Sequence, residues 1–310
     1  MRGPALALLL LAGCGAAPPP EVADRFCTTR IERSAITLPP AAPGQIEALR
    51  AAGFSSDGLE TAEAIGALDI LQRLVRAERA PRPDVPLLLA RQQLTQHVLL
   101  GLLDVQATLA AIDCAGERGA QLRATLVRMD SQSSRNLGLA GLVIGGATAA
   151  ITGGLSLASL SNAGDIAGII GGSLGSAVGG AQLYVGASGQ LRAQANPLAE
   201  LRNQPEHSTI FPATVWRYLT RRDAPGEPNV AEDILAEWRS AGLISDDGAA
   251  DLLFAPEARV GVDDLDRRDA MYDLLEARIA LMNRDLRLFL EEIVARPLTV
   301  PPQSRRARAP

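Results

Sequence analysis

The chain has no lysine; all thirty of its basic residues are arginine. That absence removes Schiff-base chemistry and the lysine of a phosphate-binding loop. Histidine is nearly absent too, with two in 310 residues. With so few imidazoles and no cysteine cluster, no metal site is expected. Aromatic residues make up 3 % of the chain, and period-two runs of valine, isoleucine and tyrosine are hard to find. Alanine and leucine are abundant instead, which favours helices over sheets. The net charge of −5 argues against nucleic acid as a partner. Neither a phosphate-loop nor a dinucleotide fingerprint occurs, so no cofactor is expected.

Charge itself is missing from one long stretch. Between Asn136 and Leu191 the only ionisable side chains are Asp165 and Tyr184. Ser161-Asn162-Ala163-Gly164-Asp165 reads as a turn. It divides the stretch into two arms, Leu137–Leu160 and Ile166–Gly189, with Arg135 and Arg192 at the base. At 1.5 Å per residue each arm could reach about 36 Å, enough for a hydrocarbon core of about 30 Å. Small residues recur every four positions in both arms: Gly141, Gly145, Ala149 and Gly153 in the first, Gly171, Gly175 and Gly179 in the second. Such spacing lets helix backbones approach closely. The pattern resembles a glycine zipper, a motif of membrane-associated and self-associating proteins. In water each glycine would cost a helix about 1 kcal/mol against alanine. Two alternatives stand: the hairpin inserts in a bilayer, or it is soluble core covered by the flanking helices. Gly171-Gly172-Ser173-Leu174-Gly175 also fits the nucleophile elbow of serine hydrolases. That elbow needs a strand before it, the flanks here look helical, and His207 is the only downstream histidine. No catalytic residue is assigned.

The N-terminus carries Arg2, a short apolar run from Ala5 to Leu11, and then Leu11-Ala12-Gly13-Cys14. The run is too short for a permanent span. Small residues after a leucine and directly before cysteine resemble the lipobox of bacterial lipoproteins. The resemblance implies cleavage before Cys14, a diacylglycerol on its sulfur and an acylated new N-terminus, which together anchor stably. Gly15 rather than aspartate follows, which in a Gram-negative lipoprotein permits outer-membrane sorting. In an exported chain, Cys27 and Cys114 are then an even pair and a candidate disulfide. The alternative is a buried free thiol at Cys114 with Cys27 exposed.

The remaining chain reads as helices. A leader (1–13) and an irregular tether (14–44) precede N-terminal helices over 45–135, the hairpin over 136–191, C-terminal helices over 192–296 and a basic tail over 297–310. Ile46, Leu49, Ile65, Leu68, Leu71 and Leu74 lie at helical spacing, with a break near Gly53–Gly58. Leu94, Val98, Leu102, Val105, Leu109 and Ile112 form one apolar stripe, resumed by Leu122, Leu126 and Met129. His97 lies just off it. Asn229 with Glu232 is a capping box. Leu275, Ile279, Met282, Leu286, Phe289 and Ile293 alternate by four and three, a heptad-like seam that needs a facing helix, either the long helix of the same chain or a second chain. Asp246-Asp247 and Asp263-Asp264 sit where helix N-termini are expected and read as caps.

These features predict an all-α helical bundle with long amphipathic helices and a central glycine-zipper-like hydrophobic hairpin. The function expected is a non-enzymatic, lipid-anchored cell-envelope protein at the outer membrane, facing the periplasm, with a structural or scaffold role. Its partners would be membrane lipid through Cys14 and either further copies of itself or an envelope protein; no small-molecule substrate is identified. One alternative is a membrane-active protein, because long helices around a hydrophobic hairpin resemble helical pore-forming toxins in architecture. A second alternative is an enzyme with an unrecognised site.

Overall fold

The structure, a computed structural model, describes residues 38–80, 84–157, 187–192, 195–222, 226–244 and 251–296. The fold is all-α. Its helices are α1 (Gln45–Ala51), α2 (Ser56–Ala64), α3 (Leu68–Glu78), α4 (Asp84–Leu157), α5 (Pro197–Asn203), α6 (Ala213–Thr220), α7 (Val230–Ser240), α8 (Asp251–Phe254) and α9 (Val262–Ala295). Two short strands, β1 (Gly189–Arg192) and β2 (Glu257–Val260), accompany them. The chain divides into two compact units. Among the described residues the larger holds 38–118, 195–256 and 267–296, and the smaller holds 119–192 and 257–266.

In the larger unit the N-terminal helical region is three short helices. Gly53 and Gly66 end α1 and α2 with φ of 90° and 67°, a conformation that favours glycine. The Gln45 amide donates to Asp69 at 2.8 Å and ties α1 to α3. Ser55 caps α2 by accepting from the Gly58 N–H at 3.0 Å. The Glu292 carboxylate of α9 accepts in turn from the Ser55 N–H at 2.8 Å and its hydroxyl at 2.7 Å. Arg296, at the end of α9, pairs with Glu78 at 2.7 Å and lies over the Phe54 ring at 4.2 Å. Burial of Leu49, Phe54, Leu59, Ile65, Leu71 and Leu74 makes this region part of one continuous core with α6, α7 and α9.

Within this unit α4 and α9 lie antiparallel. Arg91 donates to the Arg296 carbonyl, Gly101 faces Leu286, and Gly116 faces Tyr272. The partner of the α9 seam is therefore the long helix of the same chain. Leu275, Ile279, Met282, Leu286, Phe289 and Ile293 are all buried. On α4 the buried line is Leu87, Leu94, Val98, Gly101, Val105, Thr108 and Ile112. Leu102, assigned to the stripe from the sequence, is exposed; Gly101 holds the seam position. Two antiparallel helices need close contact every 3.5 residues, and a glycine or threonine meets that need without adding to an apolar count.

The C-terminal helices follow their local signals. Asn229 and Glu232 form the reciprocal capping box of α7, whose Ile234, Leu235 and Trp238 are buried. Val215, Trp216 and Leu219 of α6 are buried likewise. Asn196 caps α5 just before Pro197, and its amide donates to the Leu253 carbonyl at 3.1 Å.

In the smaller unit Leu122 and Leu126 of α4 are buried with Val260 and Leu265, but Met129 is exposed, contrary to the stripe drawn from the sequence. β1 and β2 pair antiparallel, Gly189 with Val260 and Arg192 with Glu257. Arg192 and Glu257 are also ion-paired. Gly189, the last residue assigned to the second hairpin arm, is thus the first of a strand. At the start of α9 Asp264 accepts from the Gly261 N–H at 2.9 Å, a capping role for one of the paired acids.

Candidate functional site

The residues singled out from the sequence divide by place. Cys14, Cys27, Gly171, Gly175 and Gly179 lie outside the described residues, as do Asp165, Ser173, Asp246 and Asp247. Gly141, Gly145 and Gly153 lie in α4, which continues helical and unbroken from Asp84 to Leu157. The first arm is therefore helical as far as Leu157. Cys114 is buried on α4; the other two cysteines lie outside the described residues. His97 is half-buried with Nδ1 2.9 Å from the Ile65 carbonyl. That contact gives it a structural role beside α2.

Three polar clusters lie in the larger unit, and of their residues the sequence singles out only His207. The first surrounds Arg217, which lines a cavity of about 470 Å³ with His207, Ser208 and Trp216. Its guanidinium donates to the carbonyls of Leu38 at 2.7 Å, Pro39 at 3.1 Å and Glu63 at 3.3 Å. Burial lowers its pKa, and the Glu63 charge opposes that shift. The neighbouring loop is braced by Glu200, which accepts from Ser208 Oγ and from the Thr209 N–H at 2.8 Å. Ser208 Oγ accepts from the N–H groups of Ile210 at 3.0 Å and Phe211 at 2.6 Å. The ring of Phe211 then stacks on Trp216, 5.5 Å between centroids. Ser208 Oγ is thus committed to holding the loop, and His207 is exposed beside it. The arrangement binds chain to chain and sets no nucleophile against a base.

The second cluster is Tyr218 with Asp285, 3.5 Å apart, beside Arg221 and Glu60, paired at 3.1 Å. Burial and the Asp285 charge push the Tyr218 phenol up to about 12. The third is a run of carboxylates: Asp113 on α4 and Asp269, Asp273 and Glu276 on α9. Burial, then Asp113, Asp273 and Asp269, raise the Glu276 pKa. Among the described residues no group of histidine, cysteine and acidic side chains is arranged to hold a metal ion.

One further feature is a surface. Helix α4 is long and apolar enough over Val85–Gln132 to cross a membrane by length and composition, and one third of that apolar window is buried. Its exposed residues include Val85, Leu88, Leu89, Leu99 and Leu103. The sequence signal was present as a run of leucines on both sides of the stripe, but a single-stripe reading assigns only one side. Comparison of the chain with protein-family models, curated proteins and solved structures finds no match.

Proposed function

We propose that the chain is a non-enzymatic cell-envelope lipoprotein, anchored through Cys14 at the outer membrane and facing the periplasm, with a structural or scaffold role. The observation that carries this reading is Leu11-Ala12-Gly13-Cys14 behind a short apolar run and ahead of a proline-rich tether. The charge-free hairpin is the second attachment. Lipid and hairpin together would fix the orientation of the helical domain, since a tethered second contact forms at high effective concentration. Support for the hairpin comes from the first arm, which is helical as far as Leu157. Support for a Cys27–Cys114 disulfide comes from the even pair of cysteines in an exported chain and from the burial of Cys114.

Mass analysis of the mature N-terminus tests the anchor. The expected result is an acylated Cys14 as the first residue; an unmodified Cys14 or a retained leader overturns the reading. Alkaline carbonate extraction of the Cys14→Ala variant, exported behind a cleavable leader, tests the hairpin. Retention in membranes is expected. Release would make the hairpin soluble core and the lipid the sole anchor.

A further inference from the structure

Helix α4 carries a second seam in the larger unit. Val85, Leu89, Gln92, Gln96, Leu99, Leu103, Gln106 and Ala110 recur by four and three, the spacing of a helix–helix contact, and all are exposed. Val85, Leu88, Leu89, Leu99 and Leu103 are 53–74 % exposed. From Val85 to Ala110 no exposed residue of α4 is charged. A face meant for water carries charge, and the exposed face of α9 in this unit does: Asp269, Asp273, Arg284, Arg287 and Glu291 stand among its exposed Leu281, Leu288 and Val294.

We propose that this face pairs two copies of the chain through antiparallel α4 helices. The order of residues along it is self-complementary. An antiparallel register centred on position 94 sets Val85 against Leu103, Leu89 against Leu99, and Gln92 against Gln96. Apolar side chains meet apolar ones, and the amides meet at the centre. A groove of about 330 Å³ lies beside the row, between Ala77, Ala80, Pro86, Leu89 and Ala90. In the same register Leu100 of the second copy comes level with residue 88, on the side of that groove.

Charge sets the direction. Arg73 and Arg76 line the groove at one end of the face, with Arg79 exposed nearby. Their hydrogen bonds run to the Gln93 amide and the Gln72 carbonyl, and no ion pair engages any of the three among the described residues. Asp113, Asp273 and Glu276 stand together at the other end, beside Gln106 and Ala110. An antiparallel pair brings the basic end of each copy to the acidic end of the other; a parallel pair would stack like on like. Three glutamines along the row suit a helix seam in water and would lack partners in hydrocarbon.

The test uses the full chain without lipid, as the Cys14→Ala variant, in sedimentation equilibrium. A dimer is expected at about 100 µM, because a contact made by one helix face from each copy is small and associates weakly. Leu99→Arg should weaken it by at least about tenfold, the loss expected when a charge is buried in an apolar contact. Its helical signal should stay unchanged, since Leu99 is exposed in the single chain. Oxidation of the Gln92→Cys/Gln96→Cys variant should give a covalent dimer, and Val85→Cys alone should not. A monomeric protein at that concentration overturns the proposal. So does association indifferent to Leu99→Arg, which would place it in the hairpin or elsewhere. A covalent Val85→Cys dimer would mean parallel helices and overturns the register. A monomer that floats with anionic phospholipid vesicles through Leu99 would make the face a lipid contact instead.

Discussion

The two long helices of the larger unit share one seam and differ on every other side. Helix α9 buries a single line from Arg268 to Ile293 and elsewhere intersperses charge, at Asp269, Asp273, Arg284, Arg287 and Glu291, with its exposed Leu281, Leu288 and Val294. Helix α4 buries its own line and then shows leucine and glutamine on the opposite side. An apolar count therefore has two meanings. A helix with one stripe needs one neighbour, and its sequence names that stripe. A helix with two stripes needs two, and the sequence alone does not say which is satisfied within the chain.

The largest test of this contrast is truncation on the two sides of each helix. Phe289→Ala, at a fully buried position, should cost about 3–5 kcal/mol in denaturant unfolding, and Leu94→Ala about 2–5 kcal/mol. Leu288→Ala and Leu99→Ala, both exposed, should stay within about 0.5 kcal/mol at protein concentrations too low for self-association. A loss at Leu99 as large as that at Leu94, measured in the dilute protein, would mean that both sides of α4 are covered within one chain.

Much of this was legible in the sequence, and the exceptions have physical causes. The α9 seam was plain because large apolar residues fill all six of its named positions. The α7 cap was plain because Asn229 and Glu232 have the spacing that two reciprocal hydrogen bonds require. The α4 seam was misdrawn at Leu102 because a pattern of large residues cannot see Gly101 and Thr108, which are buried there instead. The strands β1 and β2 are four residues each, too short to show alternation. Arg268 is 4 % exposed, held by the Leu253 carbonyl at 2.9 Å and the Tyr272 hydroxyl at 2.8 Å. An arginine on an apolar seam reads as a solvated charge until its neighbours are placed. The Arg217 and Tyr218 clusters join residues far apart in sequence, so no spacing could announce them.

Charge on α9 has structural uses, and these give smaller effects. Glu292→Ala removes the acceptor of both Ser55 bonds and should cost about 1–2 kcal/mol, the range for a lost helix cap or charge-assisted bond. Indifference would mean that water replaces Glu292 at that end of α2. Burial, and then the Asp285 carboxylate, raises the folded pKa of Tyr218 to about 12 from 10.0. The phenol is neutral in the folded chain at pH values where the unfolded chain has ionised it. Its stabilising contribution is therefore complete below pH 10 and is lost as pH rises from about 10 to about 12. Tyr218→Phe should flatten that part of the stability profile by roughly 1–2 kcal/mol, the shift being discounted for partial exposure. A profile unchanged by the substitution would mean that the phenol titrates alike in both states.

The smallest effects lie in the glycines of α4 and separate a seam that needs close approach from one that does not. A methyl group at Gly101 would sit 3.0 Å from Ile65 Cγ2 and 3.4 Å from Leu286 Cδ2. Overpacking of that kind costs about 1–3 kcal/mol, against a gain of about 1 kcal/mol in helix propensity. Gly101→Ala should therefore destabilise by about 1 kcal/mol. At Gly119 the nearest atom to such a methyl is Leu265 Cδ2 at 3.9 Å, an ordinary contact. There the propensity gain stands alone, and Gly119→Ala should stabilise by about 0.5–1 kcal/mol. Opposite signs in thermal unfolding of the two variants would show that α4 keeps Gly101 for the packing against α2 and α9. Equal gains at both sites would show that Ile65 and Leu286 yield to a methyl group. The seam between α4 and α9 would then be loose at Gly101, with room for Leu286 to move aside.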